Sequence, residues 1–294
     1  YMVLGEPMTS FERKYSIFND VDYCSGVSNG LTALILCLKS LDIGPGDEVI
    51  VTPWTMCASA TAILHWNAIP VFADIDPLTF NLDPKSIEAN ITPYTKAIMV
   101  VDIFGQSADM EEIMGIAKKH ELKVISDTAQ SPGALYKGKY AGTLADVGGY
   151  SLNYHKHIHT GEGGILVTNN DEIADRLKLI RNHAEAVVAD KGVSNLSNMI
   201  GYNFRLGEIE CAIGIEQLKK LSGLVESRQL IAARLTDGLK DLHGLVMPEV
   251  KADRTHVYYV FPLILDLKKV GVSKNRIHEG LKAEGVSVSK SYQN

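Results

Sequence analysis

AIMVVDIFGQSADMEEIMGIAKKHELKVISD, residues 97–127, contains one complete strand–helix–strand unit. Ala97–Gly105 and Leu122–Asp127 are apolar and rich in β-branched residues, which predicts two strands. Apolar residues at helical spacing predict a helix over Asp109–His120 between them. Strands that are apolar throughout are typical of a parallel sheet that helices cover on both faces. The unit therefore predicts an α/β fold with a mainly parallel sheet.

The alternation of strands and helices continues on both sides of this unit. Further strands are predicted over Gly44–Val51, Ile69–Asp76, Val147–Tyr154 and Ile165–Val167. Further helices are predicted over Phe11–Phe18, Leu31–Leu41, Met56–Trp66, Pro84–Asn90, Asp171–Arg181, Leu206–Leu221 and Gly223–Leu242.

A different pattern follows residue 220. A predicted strand over His256–Leu265 precedes an amphipathic helix over Lys274–Glu284, and the repeating units have ended. We therefore predict a large domain over residues 1–220 and a smaller α+β domain over residues 221–294. Because the chain begins at Tyr1 and stops abruptly at Asn294, we expect it to be part of a longer protein whose small domain continues.

Composition limits the classes of function. The 294 residues are 46% hydrophobic and carry a net charge of −6, which is typical of a globular enzyme and argues against nucleic-acid binding. No apolar run has transmembrane length and no signal-like start is present, so a cytoplasmic protein without membrane contact is expected. The four cysteines stand singly, without CxxC spacing, and are expected to be small core residues and not zinc ligands or disulfides.

One lysine lies in an unusual setting, the segment SLNYHKHIHTGEGG of Ser151–Gly164. Lys156 follows a predicted strand, precedes the glycine-rich residues Gly161–Gly164, and is flanked by three histidines. Cationic histidines and partial burial would both lower the pKa of the lysine and favour a nucleophilic amine. A surface hairpin with a histidine-rich tip accounts for this segment equally well when it is taken alone.

Two further features point to an anionic cofactor with a ring nitrogen. Ser28-Asn-Gly30 opens the helix from Leu31, so that unpaired amides face a space suited to phosphate. Asp127 ends a buried strand, and functional residues of such sheets gather at the carboxyl ends of strands, where Pro53, Trp54, Asp76 and Asp102 also fall. An amine, a carboxylate and an anion site are the groups that pyridoxal 5'-phosphate requires.

Longer motifs make a family resemblance specific. They are GVSNGLTAL, GPGDEVIV, PVFADIDPLTFNLDP, ITPYTKAI, FGQSADM, SDTAQSPGALYKGKYAG, YHKHIHTGEGGILVTN and GYNFRLGEIECAIGIEQL. In these motifs the chain resembles the nucleotide-sugar aminotransferases of the DegT/DnrJ/EryC1/StrS family almost end to end. The resemblance implies the type I fold of pyridoxal-phosphate-dependent transferases, with a seven-stranded sheet in the large domain and a smaller α+β domain.

The resemblance also implies a role for each site residue. Lys156 would hold the cofactor covalently and move protons, and Asp127 would pair with the ring nitrogen. Gln130 would contact the ring face or its 3-oxygen. The implied phosphate ligands are the amides of Gly30 and Leu31, the hydroxyl of Ser151, and Asn203, which with Arg205 would reach across the interface of a homodimer with shared active sites. Glu162 would organise the loop that contains Lys156 and the glycine-rich residues Gly161–Gly164, called the lysine loop below.

Two positions depart from the family pattern. The family has an aromatic residue over the cofactor ring where this chain has Met56, so either Trp54 or Met56 could stack there. In the phosphate turn, Gly30–Leu31, the family commonly has a small hydroxyl residue where this chain has Leu31, which is followed by Thr32. The amides remain available at the turn, but one side-chain hydrogen bond is expected to be missing.

The implied reaction moves an amino group from an amino acid, expected to be glutamate, to a keto group of a nucleotide-linked deoxysugar. A pyridoxal-phosphate-dependent sugar dehydratase is an alternative, but that branch has histidine at the position of Lys156. A non-catalytic regulatory homologue is a second alternative, and the presence of both Lys156 and Asp127 argues against it. The sequence leaves open which sugar and nucleotide are used, and whether C3 or C4 is aminated.

Overall fold

The computed structural model describes residues 3–184 and 200–290. Seven strands form one sheet in the order β1-β9-β8-β5-β4-β2-β3. These strands are β1 Tyr23–Val27, β2 Glu48–Val51, β3 Ile69–Phe72, β4 Thr95–Val101, β5 Lys123–Asp127, β8 Val147–Ser151 and β9 Gly164–Thr168. Two short pairs lie outside the sheet, β6 Leu135–Tyr136 with β7 Lys139–Tyr140, and β10 Leu245–Val246 with β11 Ile264–Leu265.

The direction of each strand follows from its connection. The pairs β8–β5, β5–β4, β4–β2 and β2–β3 are parallel, whereas β9 is antiparallel to both of its neighbours. The lysine loop joins β8 to β9 without a helix, so the chain returns beside β8 in the opposite direction. The prediction of a mainly parallel seven-stranded sheet in an α/β fold is confirmed.

Helices cover both faces of the sheet. They are α1 Glu6–Asn19, α2 Gly30–Ser40, α3 Ala58–His65, α4 Pro84–Ala89, α5 Met110–Lys119, α6 Asp171–Arg181, α7 Glu208–Leu218, α8 Leu221–Leu239, α9 Leu267–Val270 and α10 Lys274–Ala283. Neighbouring residues of β2 show the two layers, because Val49 and Val51 pack in one core with α2 while Ile50 packs in another with α5. Within the described ranges, no helix combines the length and apolar character needed to cross a membrane.

The predicted strand over His256–Leu265 is wrong for most of its length, because only β11 at its end pairs as a strand. Residues 256–260, here called the strap, instead lie against the large sheet, where the amide of Val257 donates to the carbonyl of Gly105 at 2.7 Å. Tyr258 has a φ of 48°, which is incompatible with a continuous strand ladder. The strap thus packs against the short 3-10 turn Ile103–Gly105 that follows β4.

The structure differs from the sequence-based prediction in smaller ways at two strands and at one cysteine. Strand β1 was not predicted, and the predicted strand over Val147–Tyr154 ends at Ser151 because the lysine loop begins there. Cys24, Cys37 and Cys211 are buried as expected, but Cys57 is exposed because it precedes α3 at the edge of the fold. The domain boundary near residue 220 stays a prediction.

Candidate active site

The start of α2 and the end of β8 form a compact polar turn. Asn29 caps the helix, its side chain accepting from the amide of Thr32 at 2.9 Å. A Cβ atom added to Gly30 would lie 2.8 Å from Cβ and 3.1 Å from Oγ of Ser151. Only glycine therefore lets α2 begin so close to Ser151, and the first amides of α2 together with the Ser151 hydroxyl are called the phosphate cradle below.

The side chains of Leu31 and Thr32, which follow Gly30, are engaged in other contacts. Leu31 is partly buried and packs against the large apolar core. The Thr32 hydroxyl is buried and hydrogen-bonded to Oδ1 of Asn29 at 2.9 Å and lies 3.1 Å from the Ser28 hydroxyl. Thr32 thus stabilises the cap, and the polar groups left at the cradle are backbone amides and Ser151.

Asp127 is a buried carboxylate at the carboxyl end of β5. Its Oδ2 accepts from the Ser59 hydroxyl at 2.8 Å and its Oδ1 accepts from the amide of Ala129 at 3.2 Å. Burial raises the pKa of Asp127, while these hydrogen bonds and the charge of Lys156 oppose the rise. A positively charged ring nitrogen would favour the ionised form of such a carboxylate. Ser59 was not foreseen, although a hydroxyl in the helix after β2 was a visible signal.

Lys156 is partly buried, with its amide donating to the carbonyl of Asn153 at 2.9 Å. Burial lowers the pKa of the Lys156 amine, and the charge of Asp127 opposes that shift. The expected contribution of cationic histidines is wrong. Burial lowers the pKa of His157 to about 4 and also lowers the pKa of His155, so both are neutral near pH 7.

The strap covers the lysine loop. The Lys156 amine lies 4.6 Å from the centroid of the Tyr259 ring, and Nε2 of His157 lies 2.8 Å from the carbonyl oxygen of Val257. Neither contact was predicted from the sequence, because the strap residues were expected to form a strand of the small domain. The strap contacts argue against the alternative of a simple surface hairpin.

Gln130, Trp54 and Met56 lie around the strand ends. Gln130 is buried, and its Oε1 accepts from the amide of Phe104 at 2.8 Å. Trp54 stacks against Phe80 with the ring centroids 6.1 Å apart. Met56 is 57% exposed, and its sulfur accepts from the amide of Ala58 at 3.1 Å. Trp54 is thus packed within the protein while Met56 faces open space.

The segment around Asn203 lies beside the phosphate turn. The amide of Ser28 donates to the carbonyl of Phe204 at 2.9 Å, two residues before Gly30. The Asn203 residue is exposed, whereas Arg205 donates to Oδ1 of Asn182. Within one chain the structure therefore brings this backbone to the cradle and leaves the Asn203 side chain facing outward.

Three other predicted positions have structural contacts. Glu162 accepts from Nδ2 of Asn153 at 2.6 Å, a hydrogen bond across the lysine loop, and its role in organising this loop stays a prediction. Asp76 accepts from the amides of Leu78 and Thr79 in its own turn, away from the lysine. Asp102 is fully buried next to β5, accepting from the Thr128 hydroxyl at 2.8 Å and from the amide of Ala108 at 3.0 Å.

A family model described as the DegT/DnrJ/EryC1/StrS aminotransferase family matches residues 1–294. The chain belongs to this family. The predicted family, the aminotransferase activity class and the dependence on pyridoxal phosphate are thereby confirmed.

Individual relatives support this membership. The dTDP-3-amino-3,6-dideoxy-alpha-D-galactopyranose transaminase of Aneurinibacillus thermoaerophilus is 43% identical over 264 residues, covering 89% of this chain and 70% of the relative. The crystal structure of DesV from S. venezuelae has a TM-score of 0.92 at 31% identity, covering 99% and 76% of the two chains. NtdA of Bacillus subtilis, solved with bound cofactor PMP, has a TM-score of 0.89 at 31% identity, covering 99% and 65%.

The residues of this aminotransferase fit pyridoxal phosphate. Gly30 lets the start of α2 approach Ser151 closely, so that the first backbone amides of the helix and the Ser151 hydroxyl lie together, an arrangement that suits a phosphate group. The buried Asp127 carboxylate suits a protonated ring nitrogen, and Lys156 has a pKa lowered by burial, which suits an amine that forms a covalent bond. Phosphate, ring and carbonyl groups thus each have a chemically matched partner.

Proposed function

We propose that this protein moves an amino group from an amino acid, glutamate, to a keto group of a nucleotide-linked deoxysugar. The observation that carries the proposal is that a chain matching this aminotransferase family over its whole length has a buried carboxylate, Asp127, and a partly buried lysine, Lys156. The name of the Aneurinibacillus relative, a dTDP-aminosugar transaminase, supports the substrate class. The family and the phosphate cradle support the cofactor.

Each residue would contribute a defined step. Pyridoxal phosphate supplies an electron sink through which an amino group can pass between an amino acid and a ketone. Asp127 would keep the ring nitrogen protonated, because a buried carboxylate is stabilised by an adjacent positive charge. Lys156 would take and return the proton at the reacting carbon, which requires the neutral amine that burial favours. Gly30, Leu31 and Ser151 would fix the phosphate, and Gln130 would border the ring.

A homodimer with shared sites completes the proposal. The exposed side chain of Asn203, next to a backbone that touches the phosphate turn, supports a donor directed toward a second subunit. A closed two-fold dimer would supply that donor to both sites. We also propose a cytoplasmic location, which the four free cysteines support.

The covalent link tests the proposed role of Lys156. Wild-type protein with added pyridoxal phosphate should show an absorbance band in the violet, and this band should disappear when glutamate is added. Borohydride should reduce the covalent bond between lysine and cofactor, so that the cofactor stays attached to the protein as a label. Lys156→Ala should bind the cofactor without a reducible bond, while the exposed-lysine control Lys96→Ala should behave like wild type. Labelling of Lys156→Ala at the wild-type level would refute the assignment.

The reaction itself needs a second measurement. A keto-sugar nucleotide panel should yield amino sugar only when glutamate is supplied. Product formed without any amino donor would support a dehydratase instead, and absence of the violet band would support a non-catalytic homologue.

Subunit mixing tests the shared site. Lys156→Ala and Asn203→Ala should each be weak or inactive as homodimers. After random reassortment they should regain about a quarter of the wild-type activity, because half of the dimers are mixed and each mixed dimer has one intact site. If subunit exchange is demonstrated and no activity returns, Asn203 serves its own chain.

A further inference from the structure

The strap is held in place from two sides. On the side of α8, Nη1 of Arg228 donates to the carbonyl of Tyr258 at 2.9 Å, and Nε2 of Gln229 donates to the carbonyl of His256 at 3.1 Å. On the side of the sheet, the amide of Val257 donates to the carbonyl of Gly105, and the carbonyl oxygen of Val257 lies within hydrogen-bond distance of Nε2 of His157. The backbone of the strap is therefore fixed relative to the lysine loop.

Gly105 permits this close approach. Its φ is +121°, and a Cβ there would lie 2.6 Å from the amide nitrogen of Tyr258 and 3.0 Å from that of Tyr259. Both the dihedral angle and the space exclude other side chains. Glycine at this position thus allows the strap to pack directly on the turn that follows β4.

A local turn directs Tyr259. Tyr258 has a positive φ, and its amide donates to Nδ1 of His256 at 2.9 Å, while the rings of His256 and Tyr258 stack 4.1 Å apart. Burial lowers the pKa of His256 to about 3, so this ring stays neutral and keeps its Nδ1 acceptor near pH 7. The turn is stable and leaves Tyr259 facing the lysine.

The Tyr259 ring meets the amine at a distance suited to a cation–π interaction. Nζ of Lys156 lies 4.6 Å from the ring centroid, within the range of about 6 Å for such contacts. The rings of His155 and His157 each lie 6.1 Å from the Tyr259 ring, so aromatic groups border the amine on this side. The charged group acting on the amine from β5 is Asp127.

We propose that Tyr259 is a positioning residue for Lys156, whose ring holds the ammonium form of the free amine over the site. The proposal rests on the proposed function, since it gives the lysine a resting place in the half of the cycle in which it is not bound covalently. A ring face favours the ammonium over the neutral amine, so Tyr259 opposes the effect of burial. The titratable groups around this pair are Asp127, His155 and His157, and the groups that act on these histidines or beside them are Glu162, Arg228 and His256.

The test separates the ring from the hydroxyl and from the bulk of the side chain. The variants are Tyr259→Phe, which keeps a ring, and Tyr259→Leu and Tyr259→Met, which remove it. Tyr154→Leu is the matched control, because Tyr154 is an exposed aromatic residue of the lysine loop. Its ring centroid lies 5.1 Å from the ring centroid of His155. Circular dichroism confirms that each variant is folded, and the second non-aromatic variant replaces Tyr259→Leu if that one unfolds.

The main readout is the pKa of the Lys156 amine in cofactor-free protein, from the pH dependence of its acylation rate measured by peptide mapping. Loss of the ring should lower this pKa by about half a unit to one unit. Tyr259→Phe and Tyr154→Leu should leave it unchanged. In the cofactor-bound enzyme, the apparent pKa of the lysine in the pH–rate profile should decrease by the same amount.

Three results would overturn the proposal. The pKa could stay in place without the ring, Tyr259→Phe could shift it as much as Tyr259→Leu, or Tyr154→Leu could shift it equally. Acylation of cofactor-free protein does not depend on transamination. A failure of the proposed function, seen in the borohydride and product assays, is therefore distinguishable from a failure of this inference.

Discussion

The phosphate cradle makes Gly30→Ala a sharp test of the site. The added methyl group would lie 2.8 Å from Cβ and 3.1 Å from Oγ of Ser151, closer than ordinary van der Waals contact. Overpacking of this kind costs about 1–3 kcal/mol. Because the methyl group would push the start of α2 away from Ser151, the helix amides and the hydroxyl would no longer be held together, and this cost should fall on phosphate binding. Affinity for pyridoxal phosphate should decrease by about tenfold to a hundredfold.

The assay compares pyridoxal phosphate with pyridoxal, which lacks the phosphate, by absorbance titration of each variant. Gly30→Ala should weaken the phosphorylated compound and leave pyridoxal unchanged. Gly115→Ala is the matched control, because Gly115 lies within α5 and a Cβ there would meet nothing within 4 Å. That control should bind like wild type and be stabilised by about 0.5–1 kcal/mol, since alanine loses less conformational entropy than glycine in a helix.

The reasoning would be refuted if Gly30→Ala bound pyridoxal phosphate as tightly as wild type. It would equally be refuted if both compounds weakened together, because the methyl group would then act on the whole fold and not on the phosphate. Thermal unfolding of cofactor-free protein separates these outcomes, since binding energy does not contribute to that measurement.

Further variants address the buried carboxylates and the strap. Asp127→Asn should keep the fold but slow half-transamination by about a hundredfold to a thousandfold, as expected for loss of one preorganised electrostatic partner, and stopped-flow absorbance with glutamate would show whether the rate is instead retained. Burial raises the pKa of Asp102 from 3.8 to about 6, so the folded state binds this proton more tightly than the unfolded chain and loses about 3 kcal/mol of stability as pH rises through that window. Asp102→Asn should lack this loss. Chemical denaturation at pH 4 and pH 7 should therefore show that the free energy of unfolding of the variant improves relative to wild type at the higher pH. An equal change of both proteins between the two pH values would contradict the assignment. Gly105→Ala should destabilise the protein by about 1–3 kcal/mol through the contact with Tyr258 and the positive φ, while Gly138→Ala, which has a positive φ but open space, should cost less in the same denaturation assay.

Local patterns predicted the sheet and its helices because each unit carries its own signal. Asn29 caps α2 through a contact three residues away, and the apolar run before Asp127 can only be a buried strand. Lys156, Asp127, Gly30 and Ser151 were named from such signals together with the family resemblance. The structure places the Ser151 hydroxyl at Gly30 and puts the Asp127 charge in reach of Lys156.

Long-range contacts escaped prediction because they depend on packing between distant segments. The strap was expected to be a strand from its aromatic and β-branched residues, yet its partners are Gly105 and His157. The histidines were expected to be cationic because their charge was considered without their burial. Ser59 reaches Asp127 across 68 positions, a distance at which sequence spacing carries no information about contact.

The strap also has a consequence for the order in which the protein folds. His157 and Val257 are 100 residues apart, and contacts of such separation form only after the intervening loop entropy has been overcome. During synthesis the segment with Lys156 leaves the ribosome well before the strap does. We therefore expect the nascent chain to present Lys156 to water first, with the phosphate cradle able to form on its own. The arrival of the strap removes water from the lysine and at the same time places the Tyr259 ring beside it, so the final protonation behaviour of the amine is acquired late in folding and not with the sheet.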